Sequence, residues 1–310
     1  MSNDVIKAVR EHLSRTGFPF ELQVARVLRA HRFEVSHHEH YVDPETGVTR
    51  EIDLIAEIRG HASKSEVVVV VKLLIECKWS GDTPWILVTA DDSRPAARSG
   101  GNTQTNELGA TILTNAPSAV SVSPFWRGPG PTAFSTLTMP RKHSGGKNDR
   151  RTDGETAPID IAKACRALGL TYHTTAGEPS FRDAVLRGLA GGDLAEIWCP
   201  VVVMKGTLTT AWLNDGDEIE VEHTSPWGRL RVMPPRVSSE TLVDVVTLDG
   251  LPTYLHHIGR DVEGIARAID QTPEIARDRM FGIQQILSKM ADGNVASEPP
   301  RKGGKPKGPK

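Results

Sequence analysis

The chain is 310 residues long, 38% hydrophobic and 25% charged, with a formal net charge of −2. Such a composition describes a globular protein with a sizeable core and room for two lobes, and its charge sum does not mark a nucleic-acid binder, although a global sum conceals local patches. It excludes a membrane-spanning helix, since no apolar run approaches the roughly 18 residues required, and Met1-Ser2-Asn3-Asp4-Val5 lacks the charged and apolar regions of a signal peptide. Cytoplasmic residence is the expectation. Cys77, Cys165 and Cys199 are odd in number and far apart, without zinc or disulfide spacing, and read as reduced core residues.

Residues 5–15 suggest a short amphipathic helix, and a second runs from about Phe20 to Ala30. In the second, Glu21 begins the pattern Glu21, Val24, Ala25, Val27, Leu28, whose spacing of three and four fits a helix lying on a sheet. Arg32 to Ser36 begins a strand, followed by His37, His38 and His40 and the turn Asp43-Pro44-Glu45-Thr46-Gly47. The histidines invite a zinc site, but no Cys or carboxylate spacing closes one. Glu51 to Ala56 reads as the next strand, with Ile52 and Leu54 facing one core layer and Asp53 the other side. Val67 to Ile75 is a β-branched run too strand-like for a helix, and Glu76-Cys77-Lys78 closes it. Alternation puts Glu76 and Lys78 on one face and Ile75 and Cys77 on the other, and Asp53 can approach Glu76 across the sheet.

After Trp79, Pro84 to Thr89 reads as a further strand. Residues 91–157 hold many Gly, Pro, Ser and Asn residues, and read as a long irregular insertion or flap. Order returns at about Ile159. Ile159 to Leu168 and Ser180 to Leu189 read as helices. Ile197 to Met204 is a strand, with Lys205-Gly206 marking a hairpin turn into Thr207 to Leu213. Glu218 to Glu222 and Leu230 to Met233 continue an antiparallel pattern, with Val243 to Leu248 as a final strand, before helices over Leu251 to Ile269 and from Thr272, with Pro273 at its first position. The division expected is a core over 1–90, the insertion 91–157, an α+β half over 158–291 packed on the core, and a basic tail over 292–310. Trp198, Trp212 and Trp227 read first as core rings, with base stacking as the alternative.

Chemistry concentrates in Glu21, Asp53, Glu76 and Lys78. Two converging carboxylates repel unless a cation lies between them, and oxygen ligation suits Mg²⁺, with Mn²⁺ as a substitute, better than zinc. Asp53 and Glu76 are the expected ligands, with Glu21 as an accessory ligand or water-orienting group. Lys78 would place positive charge beside an attacked phosphate. The bland readings are a solvated helix glutamate, a strand-end aspartate and a same-face ion pair worth roughly 0.2 to 1 kcal/mol; it is the combination that points to metal-dependent hydrolysis of a nucleic-acid backbone.

The order of these residues, Glu on a helix, Asp on a strand and Glu-x-Lys on the next, with spacings of 32 and 23 residues, resembles the PD-(D/E)xK superfamily. Thr16-Gly17-Phe18-Pro19-Phe20-Glu21, Arg50-Glu51-Ile52-Asp53 and Ile75-Glu76-Cys77-Lys78-Trp79 look closest to Mrr-like bacterial restriction and defence proteins. Ile52 stands where the motif's proline would be. The resemblance is confined to about the first 90 residues. It implies an α/β fold, a restriction-endonuclease-like mixed sheet flanked by helices, and a Mg²⁺-dependent DNA endonuclease acting in restriction, defence or repair; double-strand cleavage would require two sites, so a homodimer or an operon-encoded partner is the expectation. RNA as substrate and a catalytically silent nucleic-acid-binding or assembly module are the alternatives. Arg141, Lys142, Lys147, Arg150 and Arg151, and the lysines and arginine after residue 300, are expected to hold phosphate without reading sequence, and the histidine hairpin could add to them.

Overall fold

The computed structural model describes residues 3–13, 16–43, 46–79, 83–90, 104–105, 108–109, 132–138, 153–174, 193–223, 227–233 and 240–271. Four long helices occur among them: α1 (Asn3–Leu13), α2 (Phe18–Ala30), α3 (Asp153–Thr174) and α4 (Leu251–Gln271). The strands are β1 (Glu34–Val42), β2 (Thr49–Ala62), β3 (Val67–Trp79), β4 (Trp85–Val88), β5 (Gln104–Thr105), β6 (Thr132–Ala133), β7 (Ser135–Thr138), β8 (Asp193–Lys205), β9 (Leu208–Leu213), β10 (Ile219–His223), β11 (Trp227–Val232) and β12 (Thr241–Thr247). None of these helices is long and apolar enough to cross a membrane.

The architecture is mixed α/β. One eight-stranded mixed sheet runs β1-β2-β3-β8-β12-β11-β6, with β5 also paired to β8, and a four-stranded sheet runs β10-β9-β4-β7. The β1-β2-β3 meander is antiparallel, whereas β8 runs parallel to β3 and β12 parallel to β8. The large sheet therefore draws strands from both ends of the described chain.

β3 explains its own place. Val67 to Ile75 are all buried, as expected of a strand covered on both faces, where the apolar run is continuous rather than alternating. On one face Leu73 and Ile75 meet Val24 and Leu28 of α2 and Ile258 and Val262 of α4. On the other, Leu74 joins Ile161 and Cys165 of α3, together with Trp85 and Leu87 of the small sheet. α2 opens with a proline in its first turn and closes at Arg32 (φ 67), where Phe33 N donates to Leu28 O at 3.1 Å.

Two buried ion pairs cross the large sheet. Lys72 of β3 reaches Glu196 of β8 at 2.5 Å, with its Nζ 4.5 Å from the centre of the Trp198 ring. Arg229 Nε of β11 donates to Asp244 of β12 at 2.7 Å, and Tyr254 of α4 donates its hydroxyl to the same carboxylate at 2.8 Å. A paired buried charge avoids the large penalty of an isolated one.

Several sequence expectations are corrected. Lys205-Gly206 is no hairpin turn: β8 remains in the large sheet and β9 joins the small one. β3 and β12 already occupy the two sides of β8, so β9 finds no open edge there. β10 pairs with β9 and β11 with β12 antiparallel, while β12 joins β8 in parallel. α3 begins at Asp153, six residues before the expected Ile159, because Pro158 lies inside it and interrupts the pattern that marks a helix. Ile52 and Leu54 do not share a layer; Ile52 lies in the α3 core and Leu54 in the α2 core. The expected helices at Ser180 and Thr272, the basic residues Arg141, Lys142, Lys147, Arg150 and Arg151, and the basic tail lie outside the described residues.

Gly60 marks the closest approach of α4 to β2. A Cβ there would lie 2.8 Å from Val262 Cγ1 and 3.0 Å from Val262 O. Gly60→Ala should lower stability by roughly 1–3 kcal/mol through overpacking, read as a lower urea midpoint with an unchanged slope.

Candidate functional site

The site lies where β3 leaves the core. Burial is complete through Ile75 and declines from Glu76 to the exposed Trp79. The β2–β3 ladder ends at Leu54 and Ile75, and just beyond it Asp53 Oδ2 accepts the main-chain N–H of Cys77 at 2.7 Å. A carboxylate thus continues the join between the strands. Glu76 and Lys78 share a side, as alternation requires, with Lys78 Nζ 2.6 Å from Glu76 Oε1. Cys77 points the other way and packs on the α2 core.

Glu21 approaches from the first turn of α2. Its Oε2 is buried without a hydrogen-bond partner, 4.0 Å from His38 Nε2. His38 takes a left-handed backbone conformation (φ 53) inside β1, and the β1–β2 pairing skips it, passing from His37 opposite Leu54 to Glu39 opposite Ile52. The same interruption falls at Asp53 on β2, where neighbouring side chains change core layer. The imidazole Nδ1 is hydrogen-bonded to Glu51, and the ring stacks on Phe18 with centroids 6.1 Å apart.

The electrostatics connect these groups. Burial, and then the neighbouring Asp53 charge, raise the Glu76 pKa to about 6, against the pull of Lys78. Burial also raises Asp53, opposed by the Cys77 N–H and Lys78. Glu21 is raised by burial and by Asp53. His38 is raised too, chiefly by its hydrogen bond to Glu51, whereas His37 is lowered by burial and by Arg29. Burial and the surrounding carboxylates push the Cys77 thiol well above its ordinary range.

The four residues singled out in the sequence therefore act on one another electrostatically. Glu21 feels Asp53, His38, Glu51 and Lys78, and Glu76 feels Asp53, Lys78 and Asp160 of α3. His38, Glu51 and Asp160 are additions. Glu51 was foreshadowed by its place two residues before Asp53, whereas nothing local marks Asp160. The three histidines separate: His37 bonds Arg29 at 2.9 Å, His38 bonds Glu51, and His40 lines a small cavity beside Glu39 and Trp198.

No protein-family model, curated protein or solved structure matches the chain. The geometry alone carries the functional argument.

Among the described residues, no three His, Cys, Asp or Glu side chains gather closely enough to enclose a metal ion. The donor chemistry instead fits an open site: Asp53 and Glu76 repel each other in a buried setting, and Glu21 Oε2 is an unsatisfied acceptor nearby. Mg²⁺ is commonly held by one or two carboxylates with water completing its shell.

The raised Glu76 pKa has a definite sign. Folded protein holds this proton more tightly than unfolded chain, so stability from this group is present below pH 4.5 and is lost as pH rises through about 6. In chelator, Glu76→Gln should stabilise the protein at neutral pH by about 2 kcal/mol, with the gain fading as pH falls toward 4.5. Urea melts across that range measure it.

Proposed function

We propose that the chain is a metal-dependent phosphodiester hydrolase acting on DNA, built on a restriction-endonuclease-like core. The observation that carries this reading is the meeting of Asp53 with the Glu76–Lys78 pair where β2 and β3 part. The order of elements supports it: a helix bearing Glu21, an antiparallel meander bearing Asp53, Glu76 and Lys78, then α3 and a strand parallel to β3. This is the arrangement expected of the PD-(D/E)xK superfamily, and restriction, defence or repair is the corresponding role.

Asp53 and Glu76 would hold Mg²⁺ or Mn²⁺. When bound, the ion supplies Lewis acidity to a phosphoryl oxygen and lowers the pKa of water. Lys78, fixed by Glu76, presents an ammonium to the negative charge that develops on the phosphate. Glu21 Oε2 offers an acceptor to orient an attacking water, and His38 is steadied above it by Glu51 and Phe18. RNA is open to the same chemistry, since none of these groups addresses a ribose hydroxyl.

A second reading, a nuclease-like module that binds nucleic acid without cutting it, is favoured by one observation: the described residues provide no enclosed three-ligand site. Supercoiled plasmid with Mg²⁺ or Mn²⁺ separates the two. The hydrolase reading expects nicking or linearisation that EDTA abolishes and that falls on the order of a hundredfold or more in Asp53→Ala, Glu76→Ala and Lys78→Ala. Full activity in any of the three would remove the assignment, and EDTA-insensitive binding without cutting would favour the silent module.

A further inference from the structure

A cavity of about 550 Å³ lies on the opposite side of the α2 N-terminus from Glu21, between α1, α2 and the ends of β3 and β8. Val9 and Leu13 of α1 and Trp79 of β3 form apolar walls, and Gln23 adds an amide. Among the described residues that line it, Arg10 and Lys205 are charged and none is acidic. α1 itself is amphipathic, yet Val5, Ile6, Val9 and Leu13 are all exposed. Trp79 is 59% exposed, a large apolar area to leave in water at the end of an otherwise buried strand.

We propose that this cavity receives an unpaired nucleobase, stacked on Trp79, from the strand whose phosphate lies at Lys78. The substrate class rests on the hydrolase reading; the cavity adds that the strand is locally single-stranded. Trp79 and Lys78 are the last two residues of β3 and leave its end on opposite faces, so a strand that crosses this end with a phosphate at the lysine carries a neighbouring base over to the ring. Lys205 stands opposite Trp79 in the β3–β8 ladder, its Nζ 5.7 Å from the ring centre. With Arg10 it supplies cationic charge for the adjoining phosphates, and the Gln23 amide offers both a donor and an acceptor to a base edge. An aromatic platform with flanking cations is the chemistry of single-strand binding, tolerant of sequence because every base has a π face. The two cations, with no acid among the described lining residues, favour a polyanion over an apolar protein segment as the occupant.

Fluorescence anisotropy of the full chain in EDTA tests this, using a fluorescein-labelled oligothymidylate, an oligouridylate of equal length and a blunt DNA hairpin duplex. Trp79→Ala should weaken binding of a single strand on the order of ten- to a hundredfold. Trp79→Phe should retain most of it, and duplex binding should change little. Similar loss with both single strands identifies the shared base-stacking chemistry, and loss with one alone identifies the sugar that the site accepts. Equal single-strand binding by the unaltered protein and Trp79→Ala would overturn the proposal, as would no single-strand binding by the unaltered protein. Plasmid cleavage is read separately. Metal-dependent cutting with a Trp79→Ala variant that binds normally would sink the stacking site and keep the hydrolase; the reverse pattern would keep the stacking site alone.

Discussion

The parallel ladder between β3 and β8 is the constraint on which the rest depends. It runs through thirteen residue pairs, from Val67 opposite Asp193 to Trp79 opposite Lys205. Because both strands are covered on both faces, the helices on either side are positioned by the same two backbones. The strands also emerge together. The last residues of β3 therefore carry Glu76, Lys78 and Trp79 on a segment anchored by nine buried predecessors, rather than on a loop. Side chains mounted on such elements keep their mutual geometry better than those on loops.

That rigidity is set against electrostatic conflict. Asp53, Glu76 and Glu21 are each driven toward the protonated form by burial, and each lies within reach of another acid. The fold answers with few compensations: the Cys77 N–H on Asp53, the Lys78 ammonium beside Glu76, and His38 over Glu21. His38 departs from strand conformation to do so, an uncommon backbone state for a non-glycine residue within a strand. Violations of local rules that gather at one point are characteristic of functional sites.

Much of this was legible in the sequence because the informative segments are local. The apolar run before Glu76 identified β3, and two-residue alternation put Glu76 beside Lys78. The helical spacing from Glu21 to Leu28 placed α2 on the sheet. What failed was information held outside each segment. Alternation misassigned Ile52 because the β1–β2 ladder is interrupted at His38 and Asp53, and neither Ile52 nor Leu54 carries a sign of that break. Lys205-Gly206 looked like a hairpin because nothing in those two residues says that β12 will arrive later to occupy the side of β8. Trp79 looked like the end of a motif, and nothing in its own segment says that its ring is exposed. Of the three rings read as core, Trp198 and Trp227 are buried, whereas Trp212 is only half-buried.

The ion pair between Lys72 and Glu196 has a consequence for how the sheet assembles. Val67 to Val71 are five identical residues at the start of β3, so their side chains distinguish poorly between one alignment and a slipped one. Lys72 and Glu196 both point to the α3 layer, with Leu74 and Trp198. Sliding β3 by a single position would turn the lysine into the α2 layer and strand the glutamate, an uncompensated buried charge costing roughly 3–5 kcal/mol. This polar pair thus acts as the index mark on a repetitive scale, discriminating among alignments that the valines leave nearly degenerate.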